Sequence, residues 1–214
     1  MSDTPLTLGF DTSGAHCGAA LIRGDACLGA AYENMAKGQA ERLMVMLEEV
    51  LEEGGARWSD VERIGVGVGP GNFTGIRISV AAARGLALGL GVPTVGVSLL
   101  EALAFGQTKP TLACLDARRG AYFLQGFNGA PYEEPAFHKD LPTLPPGLLC
   151  IGTAGGDIAA RTGGHHEPAV YAPASAIARI AARRAIRPDE RPAPLYLRAP
   201  DATPSSTPIP SILP

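Results

Sequence analysis

Two aspartates stand where a strand-like run gives way to a tight turn: Phe10-Asp11-Thr12-Ser13 and Leu115-Asp116-Ala117-Arg118. A carboxylate at the carboxyl end of a strand is where an α/β sheet presents groups to a ligand. In a phosphate-transfer enzyme it holds magnesium or orients a water. Aspartate also forms turns by bonding its own backbone two residues on, and for each of the two taken alone the turn-former is the favoured reading. Their recurrence in two related segments raises the weight of the ligand reading.

The loop Gly69-Pro70-Gly71-Asn72-Phe73-Thr74-Gly75 is the most specific string in the chain. Its glycines permit positive φ and close backbone approach, and Thr74 is placed to cap the helix that follows. Such a loop at a helix N-terminus can cradle an anion. It carries neither the Gly-Lys-Ser/Thr ending of a P-loop nor G-x-G-x-x-G, so phosphate cradle and rigid turn remain equal alternatives. Gly152-Thr153-Ala154-Gly155-Gly156 is a second glycine turn, from strand into helix, suited to lie against a purine or phosphate.

Other chemistries find no purchase. His16, His138, His165 and His166 form no H-x-x-x-H or H-E-x-x-H pair, so no histidine-ligated metal site is legible, and His165-His166 is expected in a solvated turn. There is no G-x-S-x-G elbow. Cys17, Cys27, Cys114 and Cys150 lie in apolar, strand-like runs without C-x-x-C spacing, as four small buried thiols of a reducing compartment.

The elements that must position these residues follow from periodicity. Leu6–Phe10, His16–Ile22 and Ala26–Tyr32 are strands, the last two a hairpin across Arg23-Gly24-Asp25. Gln39–Glu53 is a helix through Leu43, Leu47, Val50 and Leu51, stopped by Gly54-Gly55. Further strands are expected at Ile64–Val68, Thr94–Val97, Thr111–Leu115, Ala121–Phe127 and Leu148–Ile151. Helices are expected over about Gly75–Leu90, Leu99–Gly106 and Ser175–Ala185. Three antiparallel strands, then helix, strand, helix, strand, with a partial echo after residue 111, make an α/β arrangement of two related lobes.

Two helices say more than a core requires. Leu43-Met44-Val45-Met46-Leu47 is apolar all the way round, and flexible methionines suit adaptable contact surfaces. The helix near Gly75–Leu90 has only Arg77 and Arg84 charged, and Ser79, Ala82, Ala83 and Gly89 leave parts of its surface small enough for another helix to approach. A helix-mediated interface between chains is favoured over a two-sided buried helix in one core. Charging Leu47 or Val50 is then expected to abolish partner binding.

Composition sets the outer bounds. The chain has 214 residues, with 18 Lys and Arg against 21 Asp and Glu and a formal charge of −3, which excludes a generally basic nucleic-acid binder. The six arginines between Arg179 and Arg198 are a local exception, expected as a solvated helix face. Fifteen of the 19 prolines follow residue 130, so the later part is expected as short elements joined by proline-rich loops. The acidic start and short first apolar run speak against a signal peptide, and Gly85–Leu100 falls short of a membrane span, so a cytoplasmic location is expected.

At this point the strings Gly9-Phe10-Asp11-Thr12-Ser13, Gly67-Val68-Gly69-Pro70-Gly71-Asn72-Phe73-Thr74-Gly75-Ile76-Arg77, Gly85-Leu86-Ala87, Gly96-Val97-Ser98, Leu115-Asp116-Ala117-Arg118 and Pro194-Leu195-Tyr196-Leu197-Arg198 resemble the bacterial TsaB (YeaZ) family. The resemblance spans most of the chain. It implies the actin-like ATPase fold (ribonuclease H-like), two lobes with mixed sheets flanked by helices. The division is an N-terminal lobe at 1–110 carrying the dimerisation helices, a smaller lobe at 111–201 and a proline-rich tail at 202–214.

It also implies a role: a non-catalytic subunit supporting the paralogue TsaD in making threonylcarbamoyladenosine beside the anticodon of tRNA. Where that relative has H-x-x-x-H in its first helix, this chain has Gln39-Ala40-Glu41-Arg42. The implied partners are a TsaD-type catalytic chain, a TsaE-type ATPase and, when alone, a second copy through the same helices, with tRNA contact indirect and no membrane. The implied interface comprises Leu43, Met44, Met46, Leu47, Val50, Arg77, Ala82, Gly85 and Gly89. A vestigial nucleotide site falls on Asp11, Thr12, Asp116, Gly152, Thr153 and Gly155, and Gly69, Pro70, Gly71, Phe73, Thr74 and Gly75 form a structural loop. No metal and no cofactor are required, and ATP or ADP binding is expected to be weak, because Arg118 and Arg119 replace an Asp-x-Gly phosphate turn. The alternatives are an actin-like-fold ATPase or small-molecule kinase, and a peptidase, against which the missing ligand histidines speak.

Overall fold

The computed structural model describes residues 4–187 and 191–198, so the tail expected at 202–214 lies outside the described residues. The chain builds two five-stranded sheets. In the first, β1 (Leu6–Asp11), β2 (His16–Arg23) and β3 (Ala26–Asn34) form an antiparallel meander. Strand β4 (Arg63–Gly67) lies parallel to β1, and β5 (Thr94–Val97) parallel to β4, in the order β3-β2-β1-β4-β5. The second comprises β6 (Thr111–Asp116), β7 (Tyr122–Phe127), β8 (Ala136–His138), β9 (Leu149–Ile151) and β10 (His165–His166), ordered β10-β9-β6-β7-β8. Read from its other end, that is the first order repeated, with the same antiparallel and parallel pairings. The echo expected as partial is complete at the level of strands.

Among the described residues five α-helices separate and cover the sheets: α1 (Gln39–Glu53), α2 (Phe73–Leu90), α3 (Leu99–Ala104), α4 (Gly155–Thr162) and α5 (Pro173–Arg183). Leu6, Leu8 and Phe10 alternate toward α1 and α2, where Leu43, Met46, Leu47, Val50, Ile76 and Val80 bury one side of the first sheet. The opposite side faces α5, whose Ala174, Ile177, Ala178 and Ala181 rest on Gly9, Gly18 and Gly65. A Cβ on Gly9 would meet the backbone of Ala174 and Ala178, so the absence of side chains on these strands sets how closely the helix approaches. Helix α3 lies between α5 and the second sheet, burying Leu99, Leu100 and Leu103 against Ala113, Leu115 and Ile151. On that sheet's other face, α4 packs Ile158 and Ala159 against Leu112, Cys114 and Cys150.

The layers do not follow the 111–201 division. Helix α5 belongs by position to the later segment, yet it packs against β1, β2, β4 and β5. The physical reason is its alanine face, which fits a glycine-lined sheet rather than the larger side chains of the second one.

Candidate functional site

The helices expected to meet a partner split into two populations. Leu43, Met46, Leu47 and Val50 are all buried, at 0–1% exposure, inside the chain's own core. They cannot touch a partner, and their spacing is the single core-facing stripe of an amphipathic helix. The large apolar residues of α1 that face outward are Met44 and Val45, 40% and 49% exposed. On α2, Ile76, Val80 and Ala83 are buried, while Ala81, Gly85, Leu88 and Gly89 are exposed and Ala82 is half-buried. Leu88 stands out at 87% exposure.

Gly85 and Gly89 have no internal explanation. A Cβ at either would meet nothing within 4 Å, and neither has positive φ. Glycine inside a helix costs about 1 kcal/mol relative to alanine. These two weaken α2 while leaving its outer face bare beside Leu88. With 18 residues, α2 is long and apolar enough to cross a membrane by length and composition alone. Its inner side, however, is built into the first core. Leu88, Ala81 and Val45 stand outside the implied interface set; Val45 belongs to the all-apolar run, and the 3.6-residue period that marks Leu43 and Leu47 as core marks it as outward.

Arg77 and Arg84 sit on α2 but serve the chain itself. The Arg77 guanidinium lies 3.9 Å from the Phe73 ring centroid and donates from Nε to the Tyr196 hydroxyl at 3.0 Å. Phe73 and Tyr196 stack with centroids 4.6 Å apart. Arg84 donates to the Pro192 carbonyl at 2.9 Å, and Leu195 N–H to the Val68 carbonyl at 2.8 Å. The segment 191–198 is thus strapped along α2 toward the second sheet.

The loop before α2 is closed by packing. Gly67, Gly71 and Gly75 abut Asp11, Ser13 and Thr12 so tightly that a Cβ on any of them would fall on the Asp11 carboxylate, the Ser13 carbonyl or the Thr12 carbonyl. Gly69 has φ 96° and precedes a cis Pro70. The cap is Asn72, whose Oδ1 accepts from Thr74 N–H at 2.9 Å and Gly75 N–H at 3.3 Å. Thr74 is not the cap, because the helix begins two residues earlier than expected, at Phe73. The anion-cradle alternative fails because the loop's inner side is occupied by the end of β1.

Asp11 is fully buried and internally satisfied. Its carboxylate accepts from Ser13 N–H at 3.2 Å and Ser13 Oγ at 3.0 Å, and lies 2.7 Å from His16 Nε2. His16 stacks on Tyr32, and Thr12 Oγ donates to the Gly75 carbonyl at 2.7 Å. Ser13 and His16 bond the same carboxylate instead of each other, so this is no nucleophile–base relay.

Asp116 differs. It is exposed; its N–H donates to Thr153 Oγ1 at 2.9 Å and its carboxylate accepts from Arg118 N–H at 2.7 Å. The next turn, Ala117–Ala121, carries positive φ at Arg118 (65°), Arg119 (56°) and Gly120 (77°). Gly152 (φ 117°) packs on the Cys114 carbonyl and Gly155 on the His166 ring. The structure therefore gathers Asp116, Gly152 and Thr153 at one strand end, apart from Asp11 and Thr12. Alternation sends Asp11 to the α5 side of its sheet and Asp116, like Cys114, to the α4 side of its own. The two carboxylates are one residue out of equivalence and do not form a paired site.

The solvated face expected of the arginine-rich segment holds for Arg183, Arg184 and Arg187, which are exposed, but not for Arg179. Arg179 is buried, donates to the Asp25 carbonyl at 3.0 Å and lies over Tyr171. Arg183 pairs with Asp25 at 3.0 Å, while Arg184 bonds Glu101 and the Gly96 carbonyl. Among the thiols, Cys27 is exposed and the other three are buried; burial pushes Cys17 up to about 11. His165 and His166 are exposed as expected but form the edge strand β10. Among the described residues, no three His, Cys, Asp or Glu side chains converge as metal ligands.

Comparison with known proteins agrees with this architecture. Residues 29–129 match the family model described as TsaD, tRNA N6-adenosine threonylcarbamoyltransferase. The tRNA threonylcarbamoyladenosine biosynthesis protein TsaB of Escherichia coli (strain K12) is 35% identical over 121 residues, 54% of this chain and 52% of that protein. The chain thus spans about half the length of this curated relative. An uncharacterized protein of Mycobacterium tuberculosis is 32% identical over 173 residues, 79% of each chain. The solved structure of YeaZ from Pseudomonas aeruginosa superposes with a TM-score of 0.69 at 28% identity, covering 90% of this chain and all of that one. The duplicated sheets and their helices are the actin-like fold. The chain belongs to the TsaB (YeaZ) family.

Proposed function

From membership of the TsaB (YeaZ) family, we propose that this chain is a non-catalytic scaffold subunit that binds and activates a TsaD-type transferase. The reaction served is threonylcarbamoyl modification of the adenosine adjacent to the anticodon in tRNA. The name of the E. coli relative supports the pathway. The observation that carries the docking role is the outer face of α2, where Leu88 projects beside the bare Gly85 and Gly89. Small residues let a partner helix approach the backbone, and exposed Leu88, Met44 and Val45 supply the apolar area. The same face would take a second copy when the chain is alone. A TsaE-type ATPase completes the assembly, and the location is cytoplasmic.

The scaffold reading is supported by the state of Asp11. A carboxylate already engaged by Ser13 and His16 at 0% exposure is poorly placed to serve a nucleotide or its magnesium. The test is a reconstituted assay of threonylcarbamoyl incorporation into tRNA, with the catalytic paralogue, its ATPase partner and the enzyme making threonylcarbamoyl-adenylate. Omitting this chain should abolish incorporation. Leu88→Glu should fold normally yet lose complex formation by size-exclusion chromatography. Incorporation unaffected by omission would reject the role, and a complex that tolerates Leu88→Glu would reject the docking face.

A further inference from the structure

We propose that the β6–β7 hairpin tip, through Arg118 and Arg119, is a direct contact for the phosphodiester backbone of the RNA substrate. The inference rests on the tRNA-modification role above and departs from the indirect contact that the family resemblance implies.

Three observations converge on the tip. First, its backbone is costly for the residues it holds. Ala121 N–H bonds the Arg118 carbonyl at 3.1 Å, closing a turn whose central residues, Arg119 and Gly120, both have positive φ. Such turns favour asparagine or glycine at these places, since a side chain in the left-handed region costs on the order of 1 kcal/mol. Arg118 and Arg119 both adopt it. Second, nothing inside the chain explains the two guanidinium groups. The arginines of α1, α2, α4 and α5 are all engaged: Arg42 with Glu33 and Glu49, Arg77 with Tyr196, Arg84 with Pro192, Arg161 with Asp157, and Arg179 and Arg183 with Asp25. Arg118 and Arg119 are exposed, and their side chains make no hydrogen bond or ion pair among the described residues. Third, the strap adds a cation to the same turn: Arg198 Nη1 donates to the Ala117 carbonyl at 3.4 Å, with its guanidinium over Phe137. The acid at the tip is Asp116, whose carboxylate is held by Arg118 N–H.

A guanidinium presents a fork of donors that matches phosphate oxygens, and an exposed tip suits a polymer backbone better than an enclosed ligand. The rest of the molecule sharpens the address. The chain carries a net charge of −3, and exposed Glu41, Glu48 and Glu52 line α1, so RNA is repelled there and accepted at the hairpin.

The experiment uses the full chain in its complex with the catalytic paralogue and an unmodified tRNA transcript. Binding is titrated across salt for the wild type, Arg118→Glu/Arg119→Glu and Arg118→Gly/Arg119→Gly. The glycine pair relieves the left-handed backbone, so it should fold at least as well as the wild type while lacking the cations. Both variants should weaken tRNA binding several-fold and flatten the log–log salt dependence by about 1 to 2. Arg118→Lys/Arg119→Lys should restore most of the salt slope. Unchanged affinity and slope in an intact, tRNA-modifying complex overturns the RNA contact and leaves the scaffold role standing. Loss of the protein complex in the variants, with tRNA binding lost only in consequence, also overturns it and assigns the tip to an acidic protein surface. Competition by free AMP or ATP that the variants abolish overturns it in favour of a mononucleotide site.

Discussion

Asp11 and Asp116 end the first strand of two sheets built in the same order, and the chain treats them in opposite ways. At β1 the carboxylate is sealed under the 67–75 loop and satisfied by Ser13 and His16. At β6 it is open to solvent beside a turn of arginines. The first end has become structure: its glycines exist so that β1, β4 and the α2 entry loop can touch. The second has kept a surface. Duplication of a fold therefore does not duplicate its ligand sites; a one-residue offset in alternation is enough to point equivalent-looking carboxylates to different faces.

The largest effect should come from breaking the sealed end. Asp11→Ala strands the Ser13 donors and His16 in a buried site, so about 3–5 kcal/mol of stability should be lost by urea titration. Asp116→Ala should cost less than about 1 kcal/mol. Equal losses would erase the distinction between the two ends. Of the same order is Leu47→Glu, which buries a charge at a 0% exposed position and should likewise destabilise the chain severely. Leu88→Glu should leave the melting temperature within about 2 °C and alter only association. This corrects the expectation that charging Leu47 or Val50 would probe the interface.

A smaller effect tests the entry loop. Asn72→Ala removes the cap of α2 and should cost about 1 kcal/mol, whereas Thr74→Ala should cost less, as measured by thermal unfolding. Smaller still is the clasp between β3 and α1. Arg42 holds the Glu33 carboxyl below its ordinary value of 4.5. A lowered carboxylate stabilises the fold above its unfolded value and loses that contribution as pH falls through the folded one. The stability gap between wild type and Arg42→Ala should accordingly narrow as pH drops below about 4.5. A gap that widens on acidification would contradict the ion pair. The mildest probe is chemical: at pH 8 a maleimide should label Cys27 alone in the native chain, since Cys17, raised to about 11, stays protonated and buried.

Much of the fold was legible because its signals are local. Leu43, Leu47, Val50 and Leu51 announce α1, glycines end α1, α2 and α4, and the 111–166 segment repeats the strand pattern of the first. What escaped depends on tertiary partners. Leu6–Asp11 alternates large Leu6, Leu8 and Phe10 with small Thr7 and Gly9, but Thr111–Asp116, apolar on both faces, carries no such mark, and the offset between Asp11 and Asp116 stayed hidden. Arg179 was misplaced because nothing local to it forecasts Asp25, 154 residues away. The α2 surface was half legible: Gly85 and Gly89 were marked by type, whereas the all-apolar α1 run concealed which of its residues face inward.

The alanine face of α5 on the glycines of β1, β2 and β4 has a consequence for how the chain is made. Synthesis delivers β1 to β5 first, yet one side of that sheet stays bare until residues 173–183 have emerged from the ribosome. Strands β6 to β10, with α3 before them and α4 among them, possess all their covering helices by residue 166. The later half of the chain thus completes its packing before the earlier half, reversing the usual amino-terminal-first order. Chains truncated near residue 170 and released from the ribosome should already protect β6 to β10 from proteolysis while β1 to β5 remain cleavable.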